Sequence, residues 1–154
     1  MKNILVAIDF DERTYELVAY AAEFAKKFSS KVWIVHIAAP EPDFVGYDVG
    51  PEYVRDNRAG ELRVEHKNLQ LLADKLLKEG VDVEGLLVQG PTVKMILDEA
   101  QKLHADLIIT GSHDHSFIYN AFVGNTSLEL FKKSRIPLLT VPLDSNKENE
   151  SGKR

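Results

Sequence analysis

Apolar and polar positions alternate between two rhythms along this chain. Ile4 to Phe10 is a nearly unbroken apolar run, the mark of a strand covered on both faces. Between Asp11 and Ser30 the apolar residues Val18, Ala21, Ala22, Ala25 and Phe28 recur at helical spacing. Lys31 to Ala39 is a second buried strand. A long helical pattern then runs from Glu52 to Glu79 through Leu62, Leu69, Leu72 and Leu76, and Gly80 stops it. Val81 to Gln89 predicts a third strand, interrupted by Asp82 and Glu84. Gly90-Pro91-Thr92 ends that strand and opens a helix with Val93, Ile96, Leu97 and Ala100 on one face. Asp106 to Thr110 predicts a fourth strand, Thr126 to Lys133 a fourth helix, and Pro137 to Val141 a fifth strand.

Strands separated by helices need crossover connections, and crossovers give a parallel sheet with helices on both faces. Ligands of such sheets sit beyond the carboxyl ends of the strands, where strand order reverses. That rule selects Asp9, Ile37 to Ala39 and the loop after Thr110. Residues 1–143 form the expected single domain. Asp144 to Arg154 has no apolar residue and is expected to be a disordered tail. Pro40 to Gly60, rich in proline, glycine and acidic residues, is expected to be a long mobile loop beside the site.

Composition narrows the chemistry. The 154 residues contain no cysteine, which excludes disulfides, thiolate metal sites and a thiol nucleophile. No apolar run approaches the length of a membrane helix, so no membrane partner and a cytoplasmic location are expected. A formal net charge of −5 opposes nucleic-acid binding. The one basic cluster, Lys132, Lys133 and Arg135, suits the carboxyl end of a helix.

Gly111 to Ser127 carries the most information. A glycine directly after a strand lets backbone amides approach an anion. Gly124 precedes Asn125, Thr126 and Ser127 at a helix start, where free amides form a phosphate site. The bland alternative is a capping box between Thr126 and Glu129. His113, Asp114 and His115 are three metal-ligand types in a row, with His36 and His104 elsewhere. In extended backbone Asp114 would point away from the two histidines, so no metal site is expected. Asp9 and Asp11 could flank a magnesium ion; contact with solvent or a sugar for Asp9, and helix capping for Asp11, are the competing roles. No Gly-x4-Gly-Lys-[Ser/Thr] motif occurs, and the glycine loop has no lysine or arginine to steady a leaving phosphate.

The opening Ile-Leu-Val-Ala-Ile-Asp-Phe, the Val-His-Ile of the second strand, Gly90 after the third and the glycines after the fourth resemble the universal stress protein family, over about residues 2 to 142. The resemblance implies a doubly wound open parallel five-stranded sheet of order 3-2-1-4-5 with four helices, of the adenine-nucleotide alpha-hydrolase-like kind. It implies a non-enzymatic stress-response protein that binds ATP or AMP, with magnesium as companion of the nucleotide. The family's nucleotide binders carry Gly-x2-Gly-x9-Gly-[Ser/Thr]. Gly111 and Gly124 match its first and third glycines, Asp114 replaces the second, and Asn125 stands at the hydroxyl position beside Thr126. Asp9 matches the aspartate that holds ribose, and Ile37 and Ala38 fall where backbone meets adenine. The implied site is Asp9, Ile37, Ala38, Gly111, Ser112, Asp114, Gly124, Asn125 and Thr126. Asp114 sets a carboxylate where backbone should meet phosphate, so a nucleotide-independent protein acting through protein–protein contacts is the alternative function. The apolar last strand, Leu138 to Val141, is expected at a sheet edge and to join two copies as a homodimer.

Overall fold

A computed structural model describes residues 1–11, 13–38, 52–112 and 126–142. Nine elements follow one another: β1 (Asn3–Ile8), α1 (Thr14–Phe28), β2 (Lys31–Ala38), α2 (Glu52–Lys78), β3 (Val83–Gln89), α3 (Thr92–Lys102), β4 (Leu107–Ser112), α4 (Thr126–Lys133) and β5 (Leu138–Pro142). The strands form one sheet in the order β3-β2-β1-β4-β5, every pair parallel. This is the doubly wound order expected from the sequence. The tail after Pro142 lies outside the described residues.

The near-continuous apolar run of β1 serves two cores. Ile4, Val6 and Ile8 face one side, where they meet Leu17, Val18 and Ala21 of α1 and Leu69, Leu72 and Leu76 of α2. Leu5 faces the other side with Val35, Ile108, Val93 and Ile96 of α3, and Leu130 of α4. Ile4, Leu5 and Val6 are all fully buried. Each such side chain contributes roughly 1.5–3 kcal/mol of transfer free energy, so the centre of the sheet carries much of the stability. Ala21, Ala22 and Ala25 of α1 are buried to 6% exposure or less, and their small size lets the helix lie close on the sheet.

Several boundaries differ from the sequence reading. Helix α1 begins at Thr14 because the Asp11 carboxylate accepts the Arg13 N–H at 3.0 Å, an Asx turn that precedes the helix. Asp11 therefore acts just upstream of the capping position. Phe28, placed on the buried stripe by its spacing, is half exposed and stacks on Phe24 at the end of α1. Residues 52–60, expected in a loop, are the first turns of α2, while 39–51 lie outside the described residues. Gly80 ends α2 as expected, with φ of 83°. Strand β3 starts two residues late, after Asp82, and lies at an edge. The capping-box pair is not used in that way: Thr126 already lies within α4, and the Glu129 carboxylate pairs with Lys133 one turn on.

Candidate functional site

The carboxyl ends of β1, β2 and β4 open into a cavity of about 210 Å³ lined by Ala7, Ile8, Asp9, Ile37, Thr92, Ile96, Thr110, Gly111 and Thr126. Four of the residues selected from the sequence, Asp9, Ile37, Gly111 and Thr126, thus meet in one place although they lie on three strands and a helix. Parallel pairing explains the convergence. The registers Ile8 to His36 and Val6 to Ile109 bring the three strand ends to the same side of the sheet. Asp9 is exposed and pairs with no cation among the described residues, which leaves its carboxylate open to a ligand hydroxyl.

Two helix amino ends face this cavity, at Thr92 of α3 and Thr126 of α4. Free N–H groups and the helix dipole make such ends favourable to anions. Thr92 is placed by a sharp turn. Gly90 has φ of 141°, its N–H donates to the Ala38 carbonyl at 3.3 Å, and an added Cβ would lie 2.9 Å from Met95 Cγ. Only glycine fits that turn without strain. At α4, the buried Ser127 Oγ donates to the Gly111 carbonyl at 2.8 Å.

Ala38 lines a second, adjoining cavity of about 410 Å³, with Asp9, Phe10, His36, Ile37, Arg58, Glu65, Asn68 and Thr92. Asp9, Ile37 and Thr92 border both spaces. Ser112 is the last partner in the β4–β5 ladder, opposite Pro142. Asp114, Gly124 and Asn125 lie outside the described residues, as do His113 and His115. Of the other histidines weighed as metal ligands, His36 sits at the carboxyl end of β2. The carbonyl of His104 accepts from the Asn3 side chain at the opposite end of the sheet, so these two do not converge. Among the described residues no three metal-ligating side chains cluster.

Sequence reasoning missed Thr92, Thr110 and Ile96. Thr92 was within reach, since it follows the third strand directly and must lie at the same sheet edge as Asp9. Ser127 was named for its backbone amide at the helix start, and its side-chain bond to Gly111 carried no separate signal.

Residues 1–142 match the model of the Universal stress protein family. The chain belongs to this family. Universal stress protein C of Escherichia coli K12 is 29% identical over 143 residues, covering 92% of this chain and 95% of that protein. A universal stress protein family member from Burkholderia pseudomallei has the same fold, with a TM-score of 0.70 at 22% identity, over 92% of this chain and 96% of that one. The universal stress protein from Archaeoglobus fulgidus, solved in complex with dAMP, superposes with a TM-score of 0.63 at 20% identity, over 91% and 97% of the two chains. In this universal stress protein, no helix among the described residues is long and apolar enough to cross a membrane.

Proposed function

We propose that this universal stress protein binds an adenine nucleotide, ATP or AMP, and acts as a non-enzymatic stress-response module. The observation that carries this reading is the meeting of Asp9, Ile37, Gly111 and Thr126 in one cavity bordered by two helix amino ends. Asp9 accepts hydrogen bonds from the ribose hydroxyls, and backbone at Ile37 and Ala38 meets the adenine edge. Gly111, Ser112 and Thr126, with Gly124 and Asn125, hold the phosphates, and magnesium offsets the opposing charge of Asp114. The dAMP bound by the Archaeoglobus relative supports the ligand class. Among the described residues, no lysine or arginine lines the 210 Å³ cavity, which favours binding over phosphoryl transfer.

The protein acts as a homodimer joined through the free edge of β5, Leu138 to Val141. That edge is the outer strand of the sheet and is largely apolar in sequence. A second reading, a nucleotide-independent interaction protein, rests on Asp114 alone.

Titration calorimetry with ATP, AMP and adenosine tests the proposal, together with mass spectrometry of the purified protein for co-bound nucleotide. Asp9→Ala removes charge-assisted hydrogen bonds to ribose and should weaken all three ligands by about tenfold or more. Absence of binding by the wild-type protein to all three would overturn the nucleotide reading.

A further inference from the structure

The second cavity holds a polar pair that the nucleotide reading does not use. His36 alternates with Ile37, so its ring turns to the α1 and α2 side of the sheet while Ile37 turns to the α3 side. The ring is deeply buried, with 8% of the side chain exposed, and Phe10 packs against it at 4.6 Å between centroids. His36 Nδ1 lies 3.0 Å from the Ile8 carbonyl oxygen. A carbonyl can only accept, so Nδ1 carries the proton and, in the neutral ring, Nε2 is a bare acceptor.

That acceptor faces another one. Nε2 stands 3.8 Å from Glu65 Oε2, beyond hydrogen-bond distance, and Oε2 is buried with no hydrogen-bond partner among the described residues. Two unfilled acceptors side by side in a buried wall are costly unless a donor sits between them. A nitrogen about 2.9 Å from each atom fits a gap of this width and can donate one N–H to each. The remaining lining favours a cation. Asp9 adds a second carboxylate, and the Arg58 guanidinium is engaged by Glu61 at 2.9 Å. A metal ion is disfavoured, because no third ligand joins the pair among the described residues.

We propose that the cavity between the carboxyl ends of β1 and β2 and the helix α2 binds a protonated primary amine, held between His36 Nε2 and Glu65 Oε2. This site adjoins the 210 Å³ cavity and shares Asp9, Ile37 and Thr92 with it, and its argument does not depend on nucleotide binding.

The test uses nucleotide-free, ¹⁵N-labelled protein at pH 8, with the His36 ring nitrogens followed by long-range proton–nitrogen correlation. Methylammonium is the probe, and tetramethylammonium, of equal charge but without N–H, is its control. The expected result is a protonated Nδ1 and an Nε2 resonance that shifts saturably with methylammonium and not with tetramethylammonium. Glu65→Gln should weaken methylammonium by about tenfold or more while keeping the melting temperature. If that variant does not fold, the comparison of the two cations on the wild-type protein decides the matter. A proton already on Nε2 at pH 8 overturns the proposal, because the dyad then fills its own gap. So does a shift that tetramethylammonium or sodium chloride reproduces, or one that never saturates, either of which leaves only water in the cavity. Equal methylammonium affinity in folded Glu65→Gln overturns it as well.

Discussion

Ser127 Oγ donates to the Gly111 carbonyl oxygen at 2.8 Å, tying the first turn of α4 to the end of β4. Pairing of β4 with β1 ends at Ile109 with Val6, so this carbonyl has passed the last strand partner on that side. Ser127→Ala leaves this half-buried oxygen only the long 3.4 Å contact from Thr110 Oγ1 as a side-chain donor. We expect a loss of about 1–2 kcal/mol in urea unfolding, with an unchanged denaturant slope.

The charge of Asp114 gives a sharper test of ligand binding. Two like charges about 5 Å apart cost roughly 3 kcal/mol at an effective dielectric of 20, and solvent and magnesium reduce that figure. Asp114→Gly should therefore tighten ATP by about tenfold, with a much smaller effect on uncharged adenosine. Calorimetry on both proteins with both ligands, with and without magnesium, separates the cases. Equal ATP affinity would place the carboxylate away from the phosphates.

The dimer is best tested at Thr140. Ile108 N–H donates to the Pro137 carbonyl, so alternate residues 137, 139 and 141 turn their backbone groups to β4. Leu138 and Thr140 turn theirs to the free edge. Leu139 packs against the α1 and α2 core, so a charge there would disturb folding too. Thr140→Pro removes an edge donor without breaking the β4 ladder. Light scattering should report monomer for the variant and dimer for the parent at tens of micromolar. A monomeric parent would end the proposal.

Asp106 links stability to acid. Its carboxylate accepts the N–H groups of Lys2 and Asn3, and those backbone hydrogen bonds hold its pKa below the ordinary 3.8. A pKa depressed by folding means that the unfolded chain binds the proton more readily. The stabilisation is therefore complete above about pH 4–5 and is lost as pH falls through the folded value. Asp106→Asn should lower the melting temperature at pH 7, and the gap to the wild-type protein should narrow below pH 4. A gap constant from pH 7 to pH 3 would show that the charge is not involved.

The sheet was legible because β1 is apolar on both faces, and only a strand with helices above and below it requires that. Helix α4 was bounded correctly at Thr126 and Lys133. The start of α1 was misplaced since Asp11 satisfies backbone by a turn of its own, which resembles a cap in sequence. Asp9, Ile37 and Gly111 were found by where strands end and Thr126 by where a helix begins, both properties of order along the chain. The approach of Glu65 to His36 was hidden, because it depends on how α2 lies across the end of β2 and no local spacing encodes that.

The central place of β1 also sets the order in which the protein can fold. Its two neighbours are β2, the next strand in the chain, and β4, whose pairing with it joins residues such as Ile4 and Leu107, far apart in sequence. During synthesis, a nascent chain of roughly the first hundred residues has its first strand hydrogen-bonded on one edge and open on the other. Closing so long a loop is entropically slow, and the open edge is competent to pair with other chains meanwhile. The window of greatest aggregation risk therefore closes only when β4 leaves the ribosome and docks.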